Sequence, residues 1–399
     1  MRFHGIEFPS SRWVISCQSA SAFRVPSRTD PQFRGHSCMG LDSQIPARPS
    51  ATHLRLLRNL TEAVGISGSE AQVREIVRTH VEPLADEIRT DAMGNLLVIR
   101  KGPGRRRLRV MLAAHMDEVG LMVVSVGSEG ELKFERVGGL DARQLVGKPV
   151  WIGKDRLPGV IGGKPVHLTT REERKQTTKV ESMGIDIGVS KKEAAEGKVT
   201  PGTGAVFATS FRRIRGTLRA KALDDRMGVA ILAELLEHPI EGIELQAAFT
   251  VQEEIGLRGA RIAAHTLKPD VAIALDCTPA RDLPTWDGEE NTQYNARLGH
   301  GPAIYAADGR TLAHPGLLRH LVDTAETAGI PYQIRQPGGG GTDAGAIHLT
   351  REGVPSISVS VPARYIHTAC SMAYVSDWRN TVRLVHAAMS TMTRSALRR

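Results

Sequence analysis

The sequence contains no run of about 18 apolar residues, so no stretch of it is suited to cross a bilayer as a helix. Cysteine is scarce. Cys17, Cys38, Cys277 and Cys370 form no Cys-x-x-Cys pair and no disulfide-like spacing, which excludes a cysteine-stapled scaffold and fits a reducing, cytoplasmic setting. Cys277 and Cys370 fall near candidate metal ligands, but small buried hydrophobe is the more ordinary role for both. No zinc-finger, homeodomain or RNP pattern accompanies the formal net charge of +9, so no specific nucleic-acid surface is expected. The densest basic run, Lys101-Gly102-Pro103-Gly104-Arg105-Arg106-Arg107, reads as a solvated turn between two apolar stretches. The Gly-x-Ser-x-Gly elbow of serine hydrolases is absent. Gly338-Gly339-Gly340-Gly341-Thr342-Asp343 lacks the Lys-Ser/Thr ending of a phosphate-binding loop and follows no predicted strand. It reads instead as the wall of a substrate pocket, with Gly340 and Gly341 lining it. Asp343 either meets a substrate amine or caps the helix that follows.

With 399 residues, 41% of them apolar, the chain can bury a substantial core and is long enough for two or three domains. Residues 1–50 hold nine Ser, six Arg and three acids without sustained periodicity. They are expected to be a disordered extension, a targeting peptide and an upstream start codon being the alternatives. From Thr52 onward Leu54, Leu57, Leu60 and Val64 recur at helical spacing, and a helix over 69–81 carries Val73, Ile76 and Val77 on one face. Strands follow over 95–99 and 108–114. Between Gly120 and Arg212 the texture changes: 15 of the 40 glycines fall there, helical periodicity nearly vanishes, and short strands alternate with turns. This predicts a small all-β domain, residues 121–212, inserted into an α/β domain made of 51–120 and 213–399. In the latter, strands over 245–251, 271–275 and 356–361 alternate with a helix that follows Lys221–Arg226 and runs to about Glu237 and with helices over 260–264 and 314–329. The pattern is that of an α/β sandwich with a largely parallel sheet.

The chemistry-bearing residues sit at the ends of those strands. His115, Glu254 and Asp276 lie at or just beyond three of them, and His367 follows a fourth by a short loop, the edge where α/β sheets bind ligands. Asp224 starts a helix and can swing over the same edge. Imidazoles and carboxylates in this mixture suit two divalent ions, zinc, cobalt or manganese, and one carboxylate can bridge them; Asp224 is assigned that place. Glu253 and Glu254 point oppositely on an extended backbone, so one can ligate while the other moves protons. Asp117, two residues past His115, is placed to take that ring's N–H.

The motifs Ala114-His115-Met116-Asp117-Glu118-Val119-Gly120, Lys221-Ala222-Leu223-Asp224-Asp225-Arg226, Gln252-Glu253-Glu254-Ile255-Gly256, Ala274-Leu275-Asp276 and Arg364-Tyr365-Ile366-His367 together resemble the M42 family of dinuclear metallo-aminopeptidases, the tetrahedral aminopeptidases. Gly339-Gly340-Gly341-Thr342-Asp343-Ala344-Gly345-Ala346 matches as well, and the resemblance covers roughly residues 52–390. It implies a three-layer α/β/α catalytic domain of the dinuclear zinc-peptidase type, with the inserted β-barrel-like domain mediating dimerisation. It also implies dimers assembled into hollow dodecamers, and peptide substrates cut at the N-terminus. His115 and Asp276 would hold one ion, Glu254 and His367 the other, with Asp224 between them, a cis peptide after Asp224, and Glu253 as general base. Another amide hydrolase or deacylase on the same centre, or a non-catalytic metal-binding scaffold, are the rival readings. One departure stands out: after His367 the family carries a proline and an acid, whereas Thr368-Ala369-Cys370-Ser371-Met372 has neither, which predicts weaker support around the second ion.

Overall fold

The computed structural model describes residues 45–283, 296–336 and 338–398. The extension expected over 1–50 thus lies outside the described residues up to position 44. Ile45 is already buried in the main core, and the Pro46 carbonyl accepts from the Arg379 guanidinium at 2.8 Å, so the segment 45–50 packs on the fold. Ser50 caps α1 (Ala51–Glu62), its hydroxyl accepting from the His53 N–H, and Leu56, Leu57 and Leu60 turn inward. Next, α2 (Ala71–Val81) buries Val73, Val77 and Val81 at helical spacing.

The main sheet begins with β1 (Glu87–Thr90), β2 (Leu96–Lys101) and β3 (Leu108–His115). Alternate residues of β3 enter different layers: Val110, Leu112 and Ala114 join the larger core, Met111 and Ala113 the smaller. Beyond His115 the chain leaves the sheet and forms a closed antiparallel barrel. Its strands are β4 (Gly120–Val126), β5 (Leu132–Val137), β6 (Pro149–Ile152), β7 (Leu157–Gly162), β8 (Gly184–Asp186) and β9 (Gly204–Phe207), ordered β4-β5-β8-β7-β6-β9, with the short α3 (Lys192–Glu196) before the last. Leu121, Val123, Phe134, Val150, Ile161 and Phe207 build a core of its own. Only glycine fits at position 120, where a Cβ would stand 2.3 Å from Ile66 Cγ2.

Main-sheet pairing resumes with β10 (Arg212–Ile214) and β11 (Thr217–Ala220), followed by α4 (Leu223–Leu235), β12 (Ile243–Thr250), α5 (Arg258–Leu267) and β13 (Val271–Pro279). The remainder is β14 (Ala303–Tyr305), α6 (Pro315–Thr327), β15 (Gln333–Arg335), α7 (Ala344–Ile347), β16 (Ser356–Arg364), β17 (Ser371–Tyr374) and α8 (Val375–Ser390). The strand order is β1-β2-β12-β3-β13-β16-β17-β11-β10, with β14 on β16 and β15 on β14. A largely parallel sheet was expected; the sheet is mixed. Its centre, β12, β3, β13 and β16, is parallel, while the β1/β2 and β10/β11 hairpins and the short return from β16 to β17 make both flanks antiparallel. Helices α1, α2, α4, α6 and α8 cover one face and α5 and α7 the other, giving three α/β/α layers. Because the four central strands share a direction, their carboxyl ends form one edge, and the candidate ligands converge there.

Candidate metal centre

His115 closes β3 and pairs in register with Thr250, the last residue of β12, so the Glu253-Glu254 turn emerges beside it. Asp276 lies within β13, and His367 follows β16. Asp224 reaches between the two imidazoles: Oδ1 is 3.3 Å from His115 Nε2 and Oδ2 is 3.4 Å from His367 Nε2. Asp276 Oδ1 lies 3.8 Å from His115 Nε2, and Glu254 Oε1 lies 3.3 Å from His367 Nε2. Glu253 Oε2 stands 4.0 Å from His115 Nε2. All five proposed ligands and the proposed base therefore meet at one place. Ligand atoms of His115, Asp224 and Glu254 fall within 4.8 Å of one another, as do those of His115, Asp225 and Asp276.

The supporting contacts set the tautomers. His115 Nδ1 donates to the Asp117 carbonyl at 3.1 Å and His367 Nδ1 to the Gly139 carbonyl at 3.2 Å, which leaves both Nε2 atoms directed at Asp224. Asp117 thus takes the ring N–H through its carbonyl, and its carboxylate Oδ1 stands 3.6 Å from the same nitrogen. That carboxylate also accepts the Glu253 and Glu254 backbone N–H groups at 3.1 and 3.2 Å and the Ser67 hydroxyl at 2.6 Å, fixing the turn that carries both glutamates. The support that seemed missing after His367 comes from Gly139, in the loop between β5 and β6 of the barrel. Asp225 is engaged as well, accepting the N–H groups of His115 and Gly228, so its oxygens anchor the end of β3 to the first turn of α4. The Asp224-Asp225 peptide is cis, and Ala222, Gln252, Tyr365 and His367 all hold positive φ. Non-glycine residues in that region concentrate where side chains are aimed for function.

Burial pushes the carboxyls of Glu253 and Asp276 well above their usual range. For Asp224 burial also acts upward, but the neighbouring His115 and His367 imidazoles outweigh it and hold the group below the usual carboxylate range. Burial lowers His367, yet Asp224 and Glu254 together raise it to about 11. Surplus carboxylate thus draws protons onto the imidazoles, the electrostatic demand that divalent cations meet. Asp224 Oδ1 is buried with no hydrogen-bond donor, a further sign that the pocket's acceptors suit a cation.

A cleft of about 920 Å³ opens over these groups, lined also by Gly339, Gly340, Gly341, Tyr305, Arg310 and Arg335. The glycine loop does follow a strand, the short β15, contrary to the expectation from sequence. Asp343 is not among the residues that line this cleft. It is buried, its Oδ2 accepting from the Thr250 hydroxyl, and makes no cap bond to α7. Burial lifts its pKa to about 6.

Residues 94–384 match the M42 glutamyl aminopeptidase family. The chain belongs to that family. It is a metallopeptidase of the aminopeptidase class, and its buried His, Asp and Glu clusters are candidate metal sites. This M42 chain is 33% identical to the lysyl aminopeptidase of Pyrococcus furiosus, over 84% of its own length and 96% of the relative's. It is 31% identical to the glutamyl aminopeptidase of Lactococcus lactis, over 84% and 95%. A solved TET aminopeptidase from a marine sediment thaumarchaeon superposes with a TM-score of 0.82 at 34% identity, covering 87% of this chain and 99% of that one. The TET1 peptidase of Pyrococcus horikoshii, described as assembling into a tetrahedron or a large octahedral shell, gives 0.75 at 35% identity over 85% and 100%. Among the described residues no helix is long and apolar enough to cross a membrane.

Proposed function

We propose that this M42 protein is a dinuclear aminopeptidase that removes N-terminal residues from peptides. The observation that carries the reading is the placement of Asp224, whose two oxygens approach different imidazoles. On this reading His115 and Asp276 would hold one ion, Glu254 and His367 the other, and Asp224 would serve both, with zinc, cobalt or manganese all compatible with the donor set. Two such cations supply the positive charge that acidifies a nearby water and stabilises the oxyanion. Glu253 serves as general base. It is buried and beside the ligands without being needed as one, so it can take the proton of the attacking water and return it to the leaving amine. Asp117 positions Glu253 and Glu254 through their backbone amides.

The barrel is proposed as a separate domain over 121–212 that mediates dimerisation, with dimers building a closed dodecameric shell. Val166 and Leu168, 67% and 62% exposed on the segment between β7 and β8, support a docking face there. Free Cys277 and Cys370 fit a cytoplasmic setting. The reading is tested by assaying aminoacyl-p-nitroanilides beside N-acetylated amino acids on metal-analysed protein. Cleavage confined to the anilides supports it; cleavage confined to the acetylated compounds would replace it with a deacylase.

A further inference from the structure

The two proposed ligand pairs draw their support from different parts of the molecule. His115 ends β3 with its backbone N–H donating to Asp225 at 3.2 Å, and Asp276 sits within β13 opposite Ser360 of β16, its Oδ1 accepting the Cys277 N–H at 2.6 Å. Their side chains are 3% and 8% exposed, so the sheet fixes them. His367 is different: it stands between β16 and β17, outside any strand, and its side chain is 35% exposed.

The barrel holds the loop that carries it. Besides the Gly139 carbonyl at 3.2 Å from His367 Nδ1, the Thr209 hydroxyl, just past β9, donates to the Ala369 carbonyl at 2.7 Å, and Ala369 packs against the barrel core. The fit is close. A Cβ at Gly139 would stand 3.1 Å from His367 Nδ1, and one at Gly138 3.4 Å from Glu254 Cβ, so the turn over 138–140 lies against both residues assigned to one ion. That turn is closed from β5. Gly138 has a φ of +81°, which glycine adopts without strain, the Leu140 N–H donates to the Gly138 carbonyl at 3.0 Å, and Arg136 Nη1 donates to the Leu140 carbonyl.

We infer that Arg136 and Gly139 are positioning residues for the ion assigned to Glu254 and His367, so that the barrel governs the occupancy of that ion while the sheet governs the other. The inference rests on the dinuclear reading above. Both residues are exposed, and Gly139 has no positive φ, so each can be changed without disturbing a core. The test is stepwise addition of cobalt to the metal-free full chain, with equilibrium dialysis giving the two dissociation constants and visible absorption reporting the ligand field of each ion. Gly139→Ala crowds the His367 ring. It is expected to weaken one binding step by about 10–100-fold, as loss of an outer contact does, and to alter the absorption of that ion alone. Arg136→Met weakens the same step by about threefold to tenfold, the worth of one hydrogen bond, and Arg136→Lys restores it. Equal weakening of both steps, no weakening of either, or a lowered Tm of the metal-free variants would overturn the inference while leaving the dinuclear reading intact. Uptake of fewer than two ions by the parent protein removes both.

Discussion

Asp117 acts on its neighbours rather than on substrate. It is fully buried, receives a hydroxyl and two backbone amides, and so sets where Glu253 and Glu254 point. Asp117→Ala is expected to weaken metal affinity by about 10–100-fold, as removal of such outer contacts does. Titration with zinc against a competing chelator measures this; an unchanged affinity would mean the turn holds itself. His115, Glu254 and Asp276 were legible in the sequence because each ends an apolar run, and the run announces the strand. Ser67 and Gly139 were not. One is a lone hydroxyl fifty residues from its acceptor, and the other contributes a main-chain carbonyl, which any residue type carries.

At the scale of elements, a buried ionic cluster joins the loop after α1, the turn after β3 and the start of α4. Lys221 Nζ donates to Glu118 at 2.7 Å and to the Ala63 carbonyl at 2.7 Å, and Arg226 adds Glu118 at 3.2 Å and the Gly65 carbonyl at 3.1 Å. Burial lowers Lys221 to about 8, so its charge depends on that partner. Glu118→Ala strands two buried cations and is expected to cost about 3–5 kcal/mol in urea denaturation. A loss near zero would show the cluster to be hydrated. The strands that proved easiest to read, β3, β12, β13 and β16, are long and apolar. Those that escaped, β1, β7, β8, β10, β11, β14, β15 and β17, run three to six residues, too few for alternation to stand out. The unforeseen α8 buries Asp377, Arg379 and His386 among its apolar residues, which breaks the 3.6-residue pattern that would have marked it.

For the whole molecule, the site lies where sheet and barrel meet: the sheet edge supplies the proposed ligands, and a barrel loop supplies the carbonyl that accepts from His367. Ions bound there stabilise the native chain by mass action, by about 4 kcal/mol at a thousandfold excess over Kd. EDTA is therefore expected to lower Tm by several degrees, with zinc, cobalt or manganese restoring it; an unchanged Tm would indicate that no ion is held. The central claim is that adjacent glutamates divide the labour, Glu254 ligating and Glu253 moving protons. Metal content per subunit, measured on Glu254→Ala and Glu253→Ala purified in parallel, tests it most directly. The account predicts one ion lost in the first and two retained in the second, with turnover reduced by about 10²–10⁴-fold. Equal metal loss in both variants, or full activity without Glu253, would contradict it.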